Sequence, residues 1–257
     1  MYLCIVVEQS LIIFTLKTIQ TNRKFHWVFV LLIFTLGAGC NTVNPPEFGG
    51  TVKDIDGNEY HTVTIGNQTW MIENLKTTHF ADSTAIPLIA DSAAWRNLKT
   101  PGYCWYNNDS VQNKNTYGAL YNWYAVNSRK LAPRGWHVPT EADWATLENN
   151  VTIYLYTSSS LSKTLASKTN WIRSSATGAI GNVLTINNSS GFNALPGGLR
   201  EKYKGTFHAM DSTGAWWSST VKSDTTAMSI VMRCDFNSVD RINKHIWKGL
   251  SVRCIKD

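Results

Sequence analysis

An apolar segment ahead of a single cysteine determines which part of this chain is available to fold. Residues 22–24 (NRK) supply positive charge, residues 27–36 (WVFVLLIFTL) form an apolar run, and residues 37–39 (GAG) place small side chains directly before Cys40. This succession is typical of a cleaved secretory signal. The apolar run is too short for a membrane-spanning helix, which needs about 20 residues. We therefore predict a signal over residues 1–39 and a folded domain after it.

The position of Cys40 resembles the lipobox of bacterial lipoproteins, although Leu36 lies one place further from the cysteine than is usual. The resemblance implies that the signal is cleaved before Cys40 and that the Cys40 thiol carries palmitate. The lipid would then hold the mature surface protein on a membrane. Simple secretion is the alternative. Asn41 is not the Asp that retains some lipoproteins at the inner membrane, so we expect the outer membrane of the cell envelope. Whether the domain faces the periplasm or the exterior stays open.

Two short segments flank this anchor. Residues 11–16 (LIIFTL) form a second apolar patch ahead of the charges, which is unusual in a signal, so we expect the true start to lie downstream of Met1. Residues 41–50 (NTVNPPEFGG) contain two prolines and two glycines without periodicity, as a tether does. The predicted organisation is a signal over 1–39, a lipidated cysteine and tether over 40–50, and one domain over 51–257.

Charge and cysteine usage exclude several classes of function. The formal net charge is +6 with scattered basic residues, whereas a nucleic-acid surface needs a concentrated basic patch. After Cys40 only Cys104, Cys234 and Cys254 remain, without CxxC spacing and without a nearby histidine. A zinc site or a thioredoxin-like pair is therefore not predicted, and we expect no cofactor and no metal. The residues leave open one structural disulfide or three buried thiols.

The first part of the domain has the pattern of an antiparallel meander. Turn signals at Asp56-Gly57 and Gly66-Asn67 separate three short apolar runs, which predicts three strands. Asp54 and Asp56 also suggest a calcium loop. An EF-hand loop, however, needs Gly at its sixth and Glu at its twelfth place, and Glu59 and Ile65 stand there.

Helical spacing follows in the middle of the chain. One predicted helix has an apolar stripe of Tyr117, Leu120, Tyr121 and Tyr124, with residues 115–116 (NT) as its cap. A second begins after Pro139: Thr140 and Asp143 approximate a capping box, and the stripe consists of Trp144, Leu147 and Val151. Weaker signals predict short helices over 93–98 and around 161–165. Late strands are expected over 216–217, 227–232, 241–247 and 250–255.

Strands, helices and strands in this order predict an α+β domain. Every one of the eleven tryptophans except Trp27 follows Cys40. A buried aromatic ring contributes about 1.5–3 kcal/mol. We therefore expect these rings to hold down loops that lack regular structure.

Seven further motifs are residues 68–75 (QTWMIENL), 104–109 (CWYNND), 117–126 (YGALYNWYAV), 135–140 (GWHVPT), 191–198 (GFNALPGG), 214–220 (GAWWSST) and 250–255 (LSVRCI). Together they resemble one bacterial family, the Fibrobacter succinogenes major paralogous domain. The family is distantly similar to C-type-lectin-like and formylglycine-generating-enzyme domains. The resemblance implies a C-type-lectin-like α+β fold with antiparallel sheets, two main helices and long ordered loops.

The resemblance also bears on the cysteines. Family members often carry a cysteine shortly before Gly-Trp-His that can pair with the C-terminal one, but residues 131–133 (LAP) stand there in this chain. Cys254 can then form a disulfide with Cys104 or with Cys234, or it can remain a free thiol. We favour Cys234–Cys254 as the candidate disulfide. Family members are surface or secreted proteins without an assigned biochemical role.

We expect a non-catalytic binding module for a glycan, a peptide or a surface protein. The candidate ligand-binding residues combine rings for stacking with amide and carboxylate groups for hydroxyls: Trp105, Tyr106, Asn107, Asn108, Asp109 and Trp217. Adjacent strand residues point to opposite faces, so at most one of Trp216 and Trp217 is expected to meet solvent. Burial of these rings in the core is the competing interpretation. The calcium motif of sugar-binding C-type lectins is missing from the sequence.

Two alternatives remain. A formylglycine-generating-enzyme-like oxidoreductase would use a copper-binding cysteine pair, for which Cys234 and Cys254 are the only candidates, but their flanks do not resemble that site. The histidines show no HxH or HExxH spacing, and His137 is best explained as a hydrogen-bonded structural residue. We therefore predict no catalytic residues. The other alternative is a subunit of a surface or fimbrial assembly.

Overall fold

The computed structural model describes residues 46–154 and 160–257, apart from the side chain of Tyr154. The chain divides into two compact units, Met1–Asn41 and Thr42–Asp257, and the described residues belong to the second. The predicted signal, Cys40 and the first part of the tether lie outside the described residues. Within 46–154 and 160–257, no helix is both long and apolar enough to cross a membrane.

The described residues form five α-helices and twelve β-strands. The helices are α1 Ser92–Asn97, α2 Ser110–Tyr117, α3 Trp123–Asn127, α4 Glu141–Tyr154 and α5 Leu161–Leu165. The strands are β1 Glu47–Lys53, β2 Glu59–Ile65, β3 Gln68–Met71, β4 Tyr103–Cys104, β5 Leu120–Tyr121, β6 Trp136–His137, β7 Gly197–Arg200, β8 Phe207–Met210, β9 Thr213–Ser223, β10 Thr226–Arg233, β11 Asp240–His245 and β12 Ile255–Lys256.

The larger sheet has five strands in the order β1-β2-β3-β12-β6, and each pair is antiparallel. The predicted three-strand meander is confirmed. Its first turn is closed by Asp54, whose Oδ1 accepts hydrogen bonds from the backbone N–H groups of Asp56 (3.0 Å) and Asn58 (2.9 Å). Asp54 therefore closes the hairpin turn that the sequence predicted.

The start of β1 corrects the predicted boundary of the tether. The strand begins at Glu47, before the expected domain start at Thr51, and Phe48 pairs with Val63 of β2. The Thr62 hydroxyl also donates a hydrogen bond to the carbonyl of Gly49. Hydrophobic alternation did not reveal this part of the strand because its glycines have no side chain and the Phe48 side chain is 71% exposed.

The second sheet has the order β11-β10-β9, and β4-β5 and β7-β8 form two-stranded ribbons. The predicted strands at 216–217, 227–232 and 241–247 correspond to β9, β10 and β11. The expected strand over 250–255 is shorter, because only β12 is regular. Leu250, Ser251 and Ile255 instead bridge in turn to β5, β9 and β3, so this segment joins the sheets.

The helix predicted after Pro139 is confirmed as α4. Thr140 and Asp143 form the capping box: the Asp143 carboxylate accepts from the backbone N–H (2.8 Å) and the hydroxyl (2.6 Å) of Thr140. Trp144, Leu147 and Val151 are buried along one face, as the spacing predicted. The short helices expected over 93–98 and around 161–165 are present as α1 and α5.

The helix predicted from Tyr117 to Tyr124 is wrong. Gly118 ends α2 with a φ of 74°, Leu120 and Tyr121 form β5 against β4, and α3 begins only at Trp123. The expected cap over 115–116 lies inside α2, whose real cap is Asp109. Gly118 packs closely on the backbone of residues 74–75. This tertiary contact ends the helix, and the spacing of apolar residues in the sequence does not reveal it.

Each of the two larger sheets lies between the same two clusters of buried residues. We call the first cluster A, whose members include Tyr60, Met71, Trp123, Trp217 and Cys254. We call the second cluster B, which includes Val63, Trp70, Trp144, Trp216 and Ile255. The arrangement confirms the α+β class, with antiparallel sheets and long loops. The lectin-like resemblance stays a prediction.

The three cysteines of the described domain are free thiols, which corrects the favoured Cys234–Cys254 disulfide. Cys254 belongs to cluster A, whereas Cys234 packs against cluster B. Cys104 lies in a third cluster with Trp95, Tyr106 and Leu120. The protein core therefore separates the two sulfurs that sequence reasoning paired.

Candidate functional site

The aromatic residues predicted to bind ligand are part of the core. Trp105 and Tyr106 are 5% and 8% exposed, and Trp105 stacks edge-on against Tyr103 at a centroid distance of 5.4 Å. The Tyr106 carbonyl accepts a hydrogen bond from the buried Asn113 side chain (2.9 Å). These two rings therefore offer no stacking face to a ligand, and the competing interpretation of burial is the correct one.

The rest of this loop is polar and largely committed to structure. Asn107 and Asn108 are exposed with φ of 50° and 58°. Asp109 caps α2 by accepting a hydrogen bond from the backbone N–H of Gln112 (3.0 Å). Without exposed rings, the loop lacks the combination of stacking and hydrogen bonding that made it a candidate.

Trp217 is also a core residue, which corrects its prediction as a ligand contact. Trp216 and Trp217 do point to opposite faces of β9, but both faces are covered and both rings are fully buried. Their indole N–H groups donate to Asn74 Oδ1 and to the Tyr121 carbonyl, each at 2.8 Å.

The structure instead presents an open groove with a volume of about 760 Å³ between α3, β6 and the outer half of β9. This volume is within the range of small-molecule sites. The aromatic residues that line it are Trp123, Tyr124 and Trp136. The polar residues that line it are Asn127, Arg129, His137, Thr140, Ser219, Ser223 and Asp224.

Helix α3 is fixed in place on one wall of the groove. Asn122 caps it by accepting from the backbone N–H of Ala125 (3.1 Å). Trp123 then donates from its indole nitrogen to the Ser218 carbonyl of β9 (3.1 Å), and its backbone N–H donates to Ile246 (2.9 Å). The wall that carries Tyr124 and Asn127 is therefore rigid.

His137 is held on the opposite wall by two carboxylates. Its Nδ1 lies 2.7 Å from Asp257 Oδ1, and its Nε2 lies 3.3 Å from Asp143 Oδ2. Burial raises the pKa of Asp143, but hydrogen bonds from Thr140 and His137 outweigh it and leave the pKa below its ordinary value. Both ring nitrogens are thus engaged, which agrees with the structural role predicted for His137.

Several polar side chains of the groove are unengaged. Within the described part of the chain, no side-chain hydrogen bond or ion pair is made by Tyr124, Asn127, Arg129, Ser219 or Asp224. Asn127, Arg129 and Asp224 are exposed, and Tyr124 is half-buried. These groups are free to bind a ligand.

A family model described as the Fibrobacter succinogenes major domain matches residues 63–256. The chain belongs to this family. The matched region of this Fibrobacter succinogenes major domain begins within β2 and includes every residue that lines the groove. A search of curated proteins and a search of solved structures found no match to the chain.

The thiols of this Fibrobacter succinogenes major domain are poor nucleophiles. Burial raises the pKa of Cys104 to about 12 and raises the pKa values of Cys254 and Cys234 as well. A protonated thiol is neither a good nucleophile nor a good metal ligand. Among residues 46–154 and 160–257, no group of three His, Cys, Asp or Glu residues is placed to hold a metal ion.

Sequence reasoning missed the groove of the family domain because its polar residues come from three separate segments. Trp136 and His137 were noted within the motif GWHVPT, and the motifs at 117–126 and 214–220 also contribute lining residues, but none of them was recognised as part of a groove. Tyr124 was assigned to a helix stripe, and nothing near Arg129 or Asp224 marks either residue. Their proximity is a product of the fold.

Proposed function

We propose that this chain is a lipid-anchored protein of the cell envelope, with the outer membrane as its site, and that its domain binds a ligand without catalysis. The observation that carries the binding role is the groove, where aromatic rings stand beside polar side chains without partners. Such a combination of apolar surface and a few unpaired polar groups is typical of ligand sites.

The anchor is supported by the leader and by the short distance from Cys40 to the domain. Residues 41–46 separate the cysteine from β1. Fully extended, they span on the order of 20 Å. A lipid on Cys40 would therefore keep the domain close to the membrane surface. The element nearest in sequence to this anchor is β1, the edge strand of the five-stranded sheet.

A non-catalytic role is favoured over an oxidoreductase by the state of the thiols. Cys234 and Cys254 pack in different clusters, and the raised pKa of each disfavours the thiolate that copper binding or nucleophilic attack requires. His137, the histidine at the groove, has both nitrogens occupied by carboxylates.

Metabolic labelling with palmitate tests the anchor. We expect the wild type and Cys4→Ala to incorporate label and to sediment with membranes, because Cys4 lies within the predicted signal and is removed. Cys40→Ala should lose the label and leave the membrane fraction. Label retained by Cys40→Ala, or an unlabelled wild type recovered from the cytosol, would contradict the proposal.

A further inference from the structure

We infer that the groove binds a glycan made of uncharged sugar rings, held by stacking on Trp136 and Tyr124 and by hydrogen bonds to Asn127, Arg129 and Asp224. This inference rests on the proposed binding function and assigns its ligand class. It follows from which chemical groups line the groove, which of them lack partners, and how their charges compare.

The two rings supply an apolar contact surface. Trp136 of β6 and Tyr124 of α3 both line the groove and are half-buried, so each keeps part of its side chain accessible. One face of a pyranose ring presents mainly C–H groups, and it loses contact with water when it packs on an aromatic ring. Trp136 is held in β6 by pairing with Lys256, so this surface is preformed.

The unpartnered polar groups match hydroxyls. Asp224 offers acceptors, Arg129 offers donors, and the Asn127 amide offers both. A sugar hydroxyl donates one hydrogen bond and accepts others, so it can satisfy each of the three groups. Bonds to the charged residues are the stronger ones, because an ionised donor or acceptor strengthens a hydrogen bond.

The charges of these groups favour an uncharged ligand. Arg129 and Asp224 carry opposite charges, and neither has an ion-pair partner in the described part of the chain. An acidic ligand would face Asp224, and a basic ligand would face Arg129, with a like-charge repulsion in either case. A neutral ligand rich in hydroxyls binds both.

A peptide fits the groove less well. An amphipathic peptide helix binds by laying apolar side chains into an apolar groove. Here it would remove Arg129, Asp224 and Asn127 from water without giving them partners. A polar group that is buried without a partner weakens binding, and a charged group does so more strongly.

An array of neutral oligosaccharides, with uronic-acid glycans and peptides printed beside them, tests the inference on detergent-solubilised full-length protein. We expect binding to neutral oligosaccharides, reduced about tenfold or more in Asp224→Asn and in Trp136→Ala, since losing one charge-assisted hydrogen bond or one stacking contact has this effect. Tyr203→Ala is the matched control: this aromatic residue is 64% exposed and lies outside the groove, so its affinity should stay unchanged.

Asp224 is exposed, so Asp224→Asn should fold normally even if Trp136→Ala does not. Binding to peptides alone, or to no neutral oligosaccharide, would overturn the glycan assignment while palmitate labelling still reports on the anchor. Glycan binding that Asp224→Asn and Trp136→Ala leave unchanged would also overturn it, because the site would then lie elsewhere.

Discussion

Fully buried cationic side chains are bound by carbonyl oxygens in this domain. Arg253 donates to Asn74 Oδ1 (3.0 Å) and to the carbonyls of Phe192 and Asn193, and its guanidinium stacks on the Phe192 ring. Burial lowers its pKa to about 9. Arg200 likewise donates to the carbonyls of Ile89, Ala90 and Gly205. Each guanidinium satisfies backbone groups of loops that have no strand partner.

Replacing Arg253 should therefore destabilise the whole domain. In Arg253→Met the apolar volume is largely kept, but the carbonyls of Phe192 and Asn193 lose this donor and Asn74 Oδ1 keeps only the Trp216 indole N–H. We therefore expect the free energy of unfolding to fall by about 3 kcal/mol. Urea denaturation measures this loss. Arg173→Met removes an exposed arginine and should change stability by about 0.5 kcal/mol or less. Equal stability of the two variants would show that the buried contacts are not stabilising.

At the residue scale, the sequence correctly indicated that aromatic rings hold long loops. The Trp95 indole donates to the Trp247 carbonyl (2.9 Å), and the Trp171 indole donates to Ala194 (3.1 Å). The sequence left open whether Trp105, Tyr106 and Trp217 are buried or meet a ligand. The sequence pattern of rings and amides around Asn107 is the same whether the rings are buried or exposed. Only the packing of β4 and β9 determines that they are buried.

At the element scale, the two predicted helices show what local signals can and cannot decide. The α4 helix begins where its capping box lies, because Thr140 and Asp143 satisfy backbone groups within one turn. The stripe from Tyr117 to Tyr124 has equally good spacing, but Gly118 is held against residues 74–75. The first signal is local and can be found in the sequence. The second helix is prevented by a contact about forty residues away in the chain.

The close approach at Gly118 predicts a large effect of a single methyl group. In Gly118→Ala the new Cβ would lie 2.7 Å from the Leu75 carbonyl oxygen at a positive φ of 74°, so we expect a loss of about 3 kcal/mol. Gly57→Ala has a similar φ of 78° but open space around the new Cβ, so about 1 kcal/mol is expected. Thermal unfolding of both variants compares them. A loss for Gly118→Ala no greater than that for Gly57→Ala would refute the steric explanation.

The capping box predicts a pH dependence of stability. Because the pKa of Asp143 is lowered in the fold, its contribution is complete above the ordinary carboxyl value of 3.8 and is lost as the pH falls through the lower folded value. At pH 7, Asp143→Asn should cost about 1 kcal/mol. This difference from the wild type should vanish in strong acid.

Urea titrations at several pH values check this prediction, with Asp235→Asn as the control because that carboxylate is exposed and caps no helix. A difference between the wild type and Asp143→Asn that stays constant from pH 7 into strong acid would show that the carboxylate charge does not stabilise α4.

At the scale of the whole molecule, the α+β class and the family followed from the sequence, because the order of strand and helix signals survives local errors. The proposed binding site did not follow. Tyr124, Trp136 and Asp224 come from three parts of the chain and meet only when α3 packs on β9. The Trp105 loop was the better candidate in sequence because its rings and amides are contiguous, although its rings belong to the core.

We propose that one lipid-anchored domain binds its ligand in the groove. Sedimentation of envelope membranes from producing cells, with a labelled neutral oligosaccharide added, tests both parts at once. We predict protein and sugar in the wild-type pellet, protein with little sugar for Asp224→Asn, and protein in the supernatant for Cys40→Ala. Pellets of Cys40→Ala that hold as much protein as the wild type, or Asp224→Asn pellets that hold as much sugar, would contradict the claim.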